Sequence, residues 1–479
     1  MFDVLIVGAG MSGLQAALSA KEAGLSFAVI EARDRVGGKV WSPPLASGRG
    51  RADLGAAWIN DEMQPLITAY VRRFGMKTVR QPIDLTSIMQ VSETERLEFP
   101  FGMVPEVNLP PPSIPINGYL VVANSDCQFA SEERKNLEMI RDHIEAESQK
   151  KKPPKPEDDL LSLDAYVRKL GANEKTCKMV NIWVRAMHGL ESTEESAAHF
   201  IDYCRRNHGL LAARADDHTG GNYMRLAEGT QPIAFGIADL IGYQYIYLGQ
   251  PVHSITDEND KITITTTEGK TFVAKKAIVS IPSALFKDLH WTPALPTALQ
   301  ERSSNAKLGH YSKAVICYDK PWWRDLGFNG FFFSFSGPIS IVRDSSVPEK
   351  GLYGLTAFVN GSVGAEWAKK DPHTRRRIIL EQLASVYNVG KDPELWRPIE
   401  FFDQIWKHEP YSQGALSPIP AIGHYVKHWD IHGKPVGNIH FVGTEYSHHW
   451  KGYMEGALTS GREGAAQVVA ALGGSRSRL

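Results

Sequence analysis

The apolar positions of residues 2–31 change their spacing twice. "FDVLIV" is a continuous apolar run, the mark of a strand buried on both faces. "MSGLQAALSAKEAG" repeats its apolar positions at helical spacing and stops at Gly24, and "SFAVIE" is a second apolar run ending at Glu31. Strand, glycine turn, helix and strand predict a βαβ unit with a right-handed crossover. Downstream, "PVHSITDENDKITITTTEGKTFVAKKAIVSIP" predicts a hairpin-like meander followed by a separate apolar strand from Ala277 to Ile281, stopped by Pro282. "GNIHFVGTEY" predicts another short strand and "GYMEGALTSGREGAAQVVAAL" a last helix. Residues 160–215 read as helical, and residues 305–400 alternate strands and helices. Residues 96–118 carry prolines and apolar side chains without a period, as an ordered loop over a pocket would. "SQKKKPPKPEDD" (148–159) reads as a solvated linker or surface loop.

The pattern predicts an α/β protein. A Rossmann-type nucleotide-binding domain is assembled from residues 1–80, 222–302 and 405–479. A substrate domain of α+β character, a mixed sheet with helices, is formed by residues 81–221 and 303–404.

One segment breaks its own pattern. In "HYSKAVICYD" (310–319), Ala314, Ile316 and Tyr318 alternate with Val315 and Cys317, so both faces of the strand call for burial. Lys313 falls on the Val315/Cys317 face, where an unpartnered ammonium is costly. It either snorkels from a wet strand end or meets a partner in a functional site.

Length and charge narrow the picture. At 479 residues the chain calls for two or three compact units. Its 53 basic and 54 acidic residues leave no field for nucleic acid or an anionic membrane. Cys127, Cys177, Cys204 and Cys317 are scattered, without metal-ligand spacing, and suit reduced thiols; no metal is expected. No apolar run reaches the ~20 residues of a membrane helix, so no integral anchor is expected. "MFDVLIVG" reads as a strand rather than a signal peptide. A soluble intracellular protein is the expectation.

The first turn carries chemistry. Gly8, Gly10 and Gly13 form GxGxxG between strand and helix, with Ser12 in the helix's first turn. Gly8 permits the tight turn, Gly10 admits a pyrophosphate to the backbone, and Gly13 allows close helix–strand packing. Glu31 lies where an acid accepts ribose hydroxyls and repels a 2′-phosphate. NAD and FAD share this fingerprint.

The sequence after Glu31 separates the two. "EARDRVGGKVWS", with Ala32, Arg33, Gly37, Gly38 and Lys39, resembles the second motif (ExxxRxGGR) of the flavin-dependent amine oxidase superfamily. "DLGAAWIN", containing Gly55, Ala56, Ala57 and Trp58, resembles its third, where backbone passes beside the flavin. "FVGTEYSHHWKGYMEGALTSGREGAAQVV" closely resembles the C-terminal flavin motif of monoamine and polyamine oxidases. There Gly443, Thr444 and Glu445 would meet the ribityl region, and the helix from Tyr453 and Met454 would aim its first amides at the pyrimidine edge. "PVHSI" with Val252 and "IPSAL" with Pro282 complete the expected flavin contacts. The resemblance implies FAD as cofactor, and a small-molecule amine and O₂ as partners; it admits a homodimer.

The same resemblance addresses Lys313. "GHYSKAVICYDKPWW" matches the family's strand bearing a lysine ahead of a proline–aromatic pair, and implies that Lys313 holds a water at flavin N5. Tyr453 matches one wall of the aromatic pair between which the amine passes. In "WKHEPYSQGALS", Ala415 and Leu416 stand where mammalian monoamine oxidases have a cysteine and a tyrosine. The first change implies non-covalent FAD, as in fungal-type members, and the second a wider, more apolar site. Trp406 either lies against the ring or packs in the core. Asn222, in "TGGNYMRL", falls at the family's polar gate.

The expected activity is FAD-dependent oxidative deamination of a primary amine, bulky or long and aliphatic, giving an aldehyde or ketone, ammonia and hydrogen peroxide. A polyamine oxidase, an L-amino-acid oxidase using Arg205 or Arg206, and a non-catalytic flavin scaffold stand as alternatives. "SRL" (Ser477, Arg478, Leu479) resembles a peroxisomal address for a eukaryotic source; otherwise a cytoplasmic location is expected.

Overall fold

The computed structural model describes residues 1–102 and 131–473. Cys127, most of the proline-rich stretch and the "SRL" motif lie outside the described residues.

Strand β1 (Phe2–Val7) leads through a glycine turn into helix α1 (Met11–Glu22) and returns as β2 (Phe27–Ile30), parallel to β1. Burial on both faces explains the unbroken apolar runs: Val4, Leu5 and Ile6 are fully enclosed. On the other side of β1 lies β3 (Thr271–Val279), a single strand where the pattern predicts a meander arm and a separate strand. Its first half pairs antiparallel with Ile262–Thr266, and its second half runs parallel to β1 and to Ile439–Phe441. The change of pairing partner, without a chain break, reads in sequence as two elements.

The second large sheet forms the other layer. Strand β4 (Ser312–Tyr318) lies second from one edge, flanked antiparallel by the edge strand Glu400–Ile405 and by Tyr353–Phe358. Among the described residues this sheet has seven strands and ends at Arg96–Pro100. The start of the expected loop is therefore an edge strand, paired with Thr86–Gln90. Helices within residues 131–214 pack against it around Trp183, Phe200 and Tyr203. The lysine-rich "linker" joins two of these helices, and its Asp159 is buried, accepting the Val426 amide at 2.9 Å. Most of the segment is exposed, as expected of a surface connection, and Asp159 pins its end. Cys177, Cys204 and Cys317 are buried free thiols.

Helix α2 (Met454–Ala471) closes the first layer against α1. Gly461 makes the approach possible, since a Cβ there would stand 2.2 Å from the Ser12 carbonyl oxygen. Among the described residues no helix is long and apolar enough to cross a membrane.

Candidate active site

A cavity of about 950 Å³ runs from the glycine turn of the first layer to the inner face of the second sheet. Every residue matched to the family's flavin and substrate motifs lines it except Gly13. Gly13 sits behind the wall, where a Cβ would lie 2.0 Å from the Gly8 carbonyl oxygen. That contact is the close helix–strand packing the motif predicts.

Gly10 is a different kind of glycine. Its φ of −72° suits any residue, and an added Cβ would meet no protein atom nearer than 4.0 Å. Gly443 is likewise extended, with 3.6 Å of clearance. Neither backbone nor packing requires glycine at these two places, and both line the cavity. What remains is room for a bound group. Helix α1 begins there with no side-chain cap and no acid in its first turn, leaving its amides and dipole for an anion. Glu31, 4 % exposed, ties the turn together: its carboxylate accepts the Ala9 amide at 2.6 Å and the Arg33 amide at 2.8 Å. The residues present fit a dinucleotide.

The cations of the second motif are partly committed elsewhere. Arg33 pairs with Glu409 and donates to Ser412. Lys39 donates to the Leu416 carbonyl at 2.6 Å, and burial pushes its pKa down to about 8. Lys39 thus ties the glycine motif to the Ala415–Leu416 segment, a long-range contact its local spacing does not reveal. At the far end of this part of the cavity, Glu445 accepts from the amide and hydroxyl of Ser283, and Thr444 bridges the Gly452 amide and the Tyr453 carbonyl.

Lys313 does not snorkel. It is 2 % exposed, on the cavity face of β4, opposite Phe358 of the neighbouring strand. Its Nζ donates to the carbonyls of Asp53 at 2.8 Å and Gly55 at 2.7 Å, and lies 5.0 Å from the centre of the Trp58 ring. An ammonium has three protons, so one is left over. Burial is the largest influence on its pKa, pushed down to about 8; the nearby Asp53 carboxylate works in the opposite sense.

Tyr453 caps α2 and donates its hydroxyl to the Ala213 carbonyl at 3.0 Å, which fixes its ring. Leu416 lines the cavity from the strand Ala415–Ile419. Trp406 is 3 % exposed, donates to the Leu54 carbonyl at 2.9 Å and lines the cavity. Asn222 reaches the cavity with its side-chain amide unpartnered among the described residues. Arg205 and Arg206 do not line it; both are engaged by Asp202, so neither can grip a substrate carboxylate there.

Several lining residues escape sequence reasoning. Tyr311, which donates to the Ala186 carbonyl, shares the face of Lys313 two positions on, and that period was the available signal. Phe358 and Arg343 arrive through strand pairing, which one sequence does not display.

The chain from residue 11 to residue 469 matches the family model described as flavin containing amine oxidoreductase. It is 30 % identical over 473 residues, 96 % of each chain, to the probable flavin-containing monoamine oxidase A of Dictyostelium discoideum. To the mouse flavin-containing amine oxidase B it is 27 % identical, covering 98 % of this chain and 86 % of the relative. In fold it is similar to cyclohexylamine oxidase from Brevibacterium oxydans (TM-score 0.86, 22 % identity, 98 % and 99 % covered). Putrescine oxidase bound to putrescine is similar too (TM-score 0.84, 23 % identity, 98 % and 99 % covered). The chain belongs to the family of flavin-containing amine oxidoreductases, an enzyme that uses FAD to oxidise amines.

Proposed function

We propose that the protein is an oxidase of bulky or long aliphatic primary amines, holding its FAD without a covalent bond. The observation that carries this reading is the buried Lys313, aimed into a cavity that continues from the glycine cradle to Tyr453 and Leu416. When bound, the flavin supplies a two-electron acceptor for the amine's α-hydride and passes the electrons to O₂, giving peroxide. Gly8, Gly10, Ser12 and the first amides of α1 would hold the diphosphate, and Glu31 the adenosine ribose. Gly443, Thr444 and Met454 would lie along the ribityl chain and ring. Lys313, its charge fixed by two carbonyls, keeps one N–H for a water or oxygen at the ring's reactive edge.

The chain's part in the substrate reaction is orientation and exclusion of water. Tyr453, held by Ala213, presents a fixed aromatic face to the amine nitrogen. Leu416 leaves the opposite side aliphatic, which supports acceptance of an amine on a branched or secondary carbon. The imine product hydrolyses to an aldehyde or ketone and ammonia. Ala415, 4 % exposed, offers no sulfur to the ring, which supports non-covalent attachment.

A panel of benzylamine, cyclohexylamine, a long n-alkylamine, spermine and leucine, read by peroxide and ammonia release, tests the reading. Turnover is expected with the branched and long aliphatic amines. Activity confined to small unbranched arylalkylamines would overturn the substrate class, and activity with none of them the oxidase reading. Acid precipitation should leave a colourless pellet, with the FAD in the supernatant; a yellow pellet would refute non-covalent binding.

A further inference from the structure

Arginine in the cavity wall is unexpected for a site that must accept an amine. Arg343 closes a bidentate pair with the buried Asp216 at 2.9 and 3.0 Å, so its charge is answered. Arg141 donates to its exposed neighbour Asp142. Arg214 is different. Its guanidinium lies over the Trp183 ring, 4.6 Å from the centre, and meets no hydrogen-bond acceptor among the described residues. Burial and then the nearby Arg343 push its pKa down to about 10, which leaves it a cation at neutral pH.

The acids around Arg214 do not answer it. Asp216 serves Arg343, and Asp217, also in the cavity wall, accepts the amide and hydroxyl of Thr219. The Cys204 thiol is held neutral by burial. The guanidinium is partly exposed, has no acceptor among the described residues, and its planar fork matches a carboxylate. Its place in the chain links it to the reaction. Arg214 follows Ala213, the residue whose carbonyl holds the Tyr453 hydroxyl.

We propose that Arg214 is a specificity residue for an anionic group on the substrate: the enzyme prefers amines that carry a carboxylate at the far end of their carbon chain. This rests on the amine-oxidase reading and narrows its substrate class. It also separates the protein from diamine oxidation, because the second ammonium of a diamine would face an unneutralised cation.

The test compares three series of matched chain length on the FAD-loaded enzyme: n-alkylamines, ω-amino carboxylates and α,ω-diamines, scored by kcat/KM for peroxide release. At one optimal length the amino carboxylate should exceed the alkylamine, and the diamine should fall below both. In Arg214→Met, which keeps an apolar stem over Trp183, the ratio of amino carboxylate to alkylamine should fall at least tenfold, through KM. Arg214→Lys should restore part of it, and Arg214→Glu should favour the diamine. An unpreferred amino carboxylate in wild type, or a ratio unchanged in Arg214→Met with its flavin spectrum intact, overturns the proposal while alkylamine turnover keeps the oxidase reading. Should no amine react, titration with glutarate decides: it must perturb the flavin spectrum of wild type at least tenfold more tightly than that of Arg214→Met, and equal affinities overturn the subsite.

Discussion

Lys313 concentrates the residue-scale physics of this protein. Its folded pKa of about 8 lies below the ordinary lysine value of 10.5. Between pH 8 and 9 the folded state therefore sheds part of a proton that the unfolded chain keeps, and stability rises with pH across that window. The average difference of about three-quarters of a proton corresponds to about 1 kcal/mol. The buried Cys317 thiol, pushed up to about 12, works in the opposite direction over the same window, but equally in wild type and in a Lys313 variant, so the difference between the two isolates Lys313. Lys313→Met should lose about 1 kcal/mol of the stability gain from pH 8 to 9, read by denaturant unfolding of the apoprotein. An unchanged pH slope would mean that Lys313 is not titrating there. In the holoenzyme the same variant should still bind FAD, because the glycine turns and α2 are untouched. Reoxidation of the pre-reduced flavin by O₂ should slow by ~10²-fold, the scale for losing one preorganised charge. Equal reoxidation rates in stopped-flow would remove Lys313 from the oxygen step.

At the scale of elements, the glycine turn between β1 and α1 separates two demands that one motif conceals. Gly13→Ala would drive a Cβ to 2.0 Å from the Gly8 carbonyl oxygen, a backbone clash that must part helix from strand. Gly10→Ala meets nothing closer than 4.0 Å and keeps an ordinary φ. The first should destabilise the apoprotein by several kcal/mol, as overpacking against backbone does. The second should leave apoprotein unfolding within about 0.5 kcal/mol of wild type, yet weaken FAD binding at least tenfold in a fluorescence titration. Loss of apoprotein stability in Gly10→Ala would show that the turn needs glycine for itself. The motif was legible because its chemistry is local: strand, turn, helix and Glu31 all fall within one βαβ unit. The strand Thr271–Val279 was read as two elements because its partners change midway. Arg96–Pro100 was read as loop because its alternation is visible only beside Thr86–Gln90.

The whole molecule joins these levels through the cavity between its layers. Legibility ends at the same boundary. Residues that act through adjacent chain, such as Gly8, Gly443 and Tyr453, could be named from sequence. Arg343, Phe358 and the Lys39–Leu416 contact depend on pairings between distant segments, and Arg214 becomes informative only once it is seen to meet no hydrogen-bond acceptor among the described residues. The cavity wall draws on β1, β2, β4, α2 and the helix Glu174–His188, so a ligand filling it touches both layers at once. A group that binds only the folded state stabilises it by RT ln(1 + [L]/Kd), about 2.7 kcal/mol at a hundredfold excess over Kd. If the ligand couples the layers, FAD at that concentration should raise the unfolding midpoint of both together. The two layers can be followed separately, by exchange of the amides of β1 in one and of β4 in the other. Matching gains in protection are expected in both strands. Protection confined to β1 would mean that FAD orders only the nucleotide-binding layer and that Lys313 lies beyond its reach.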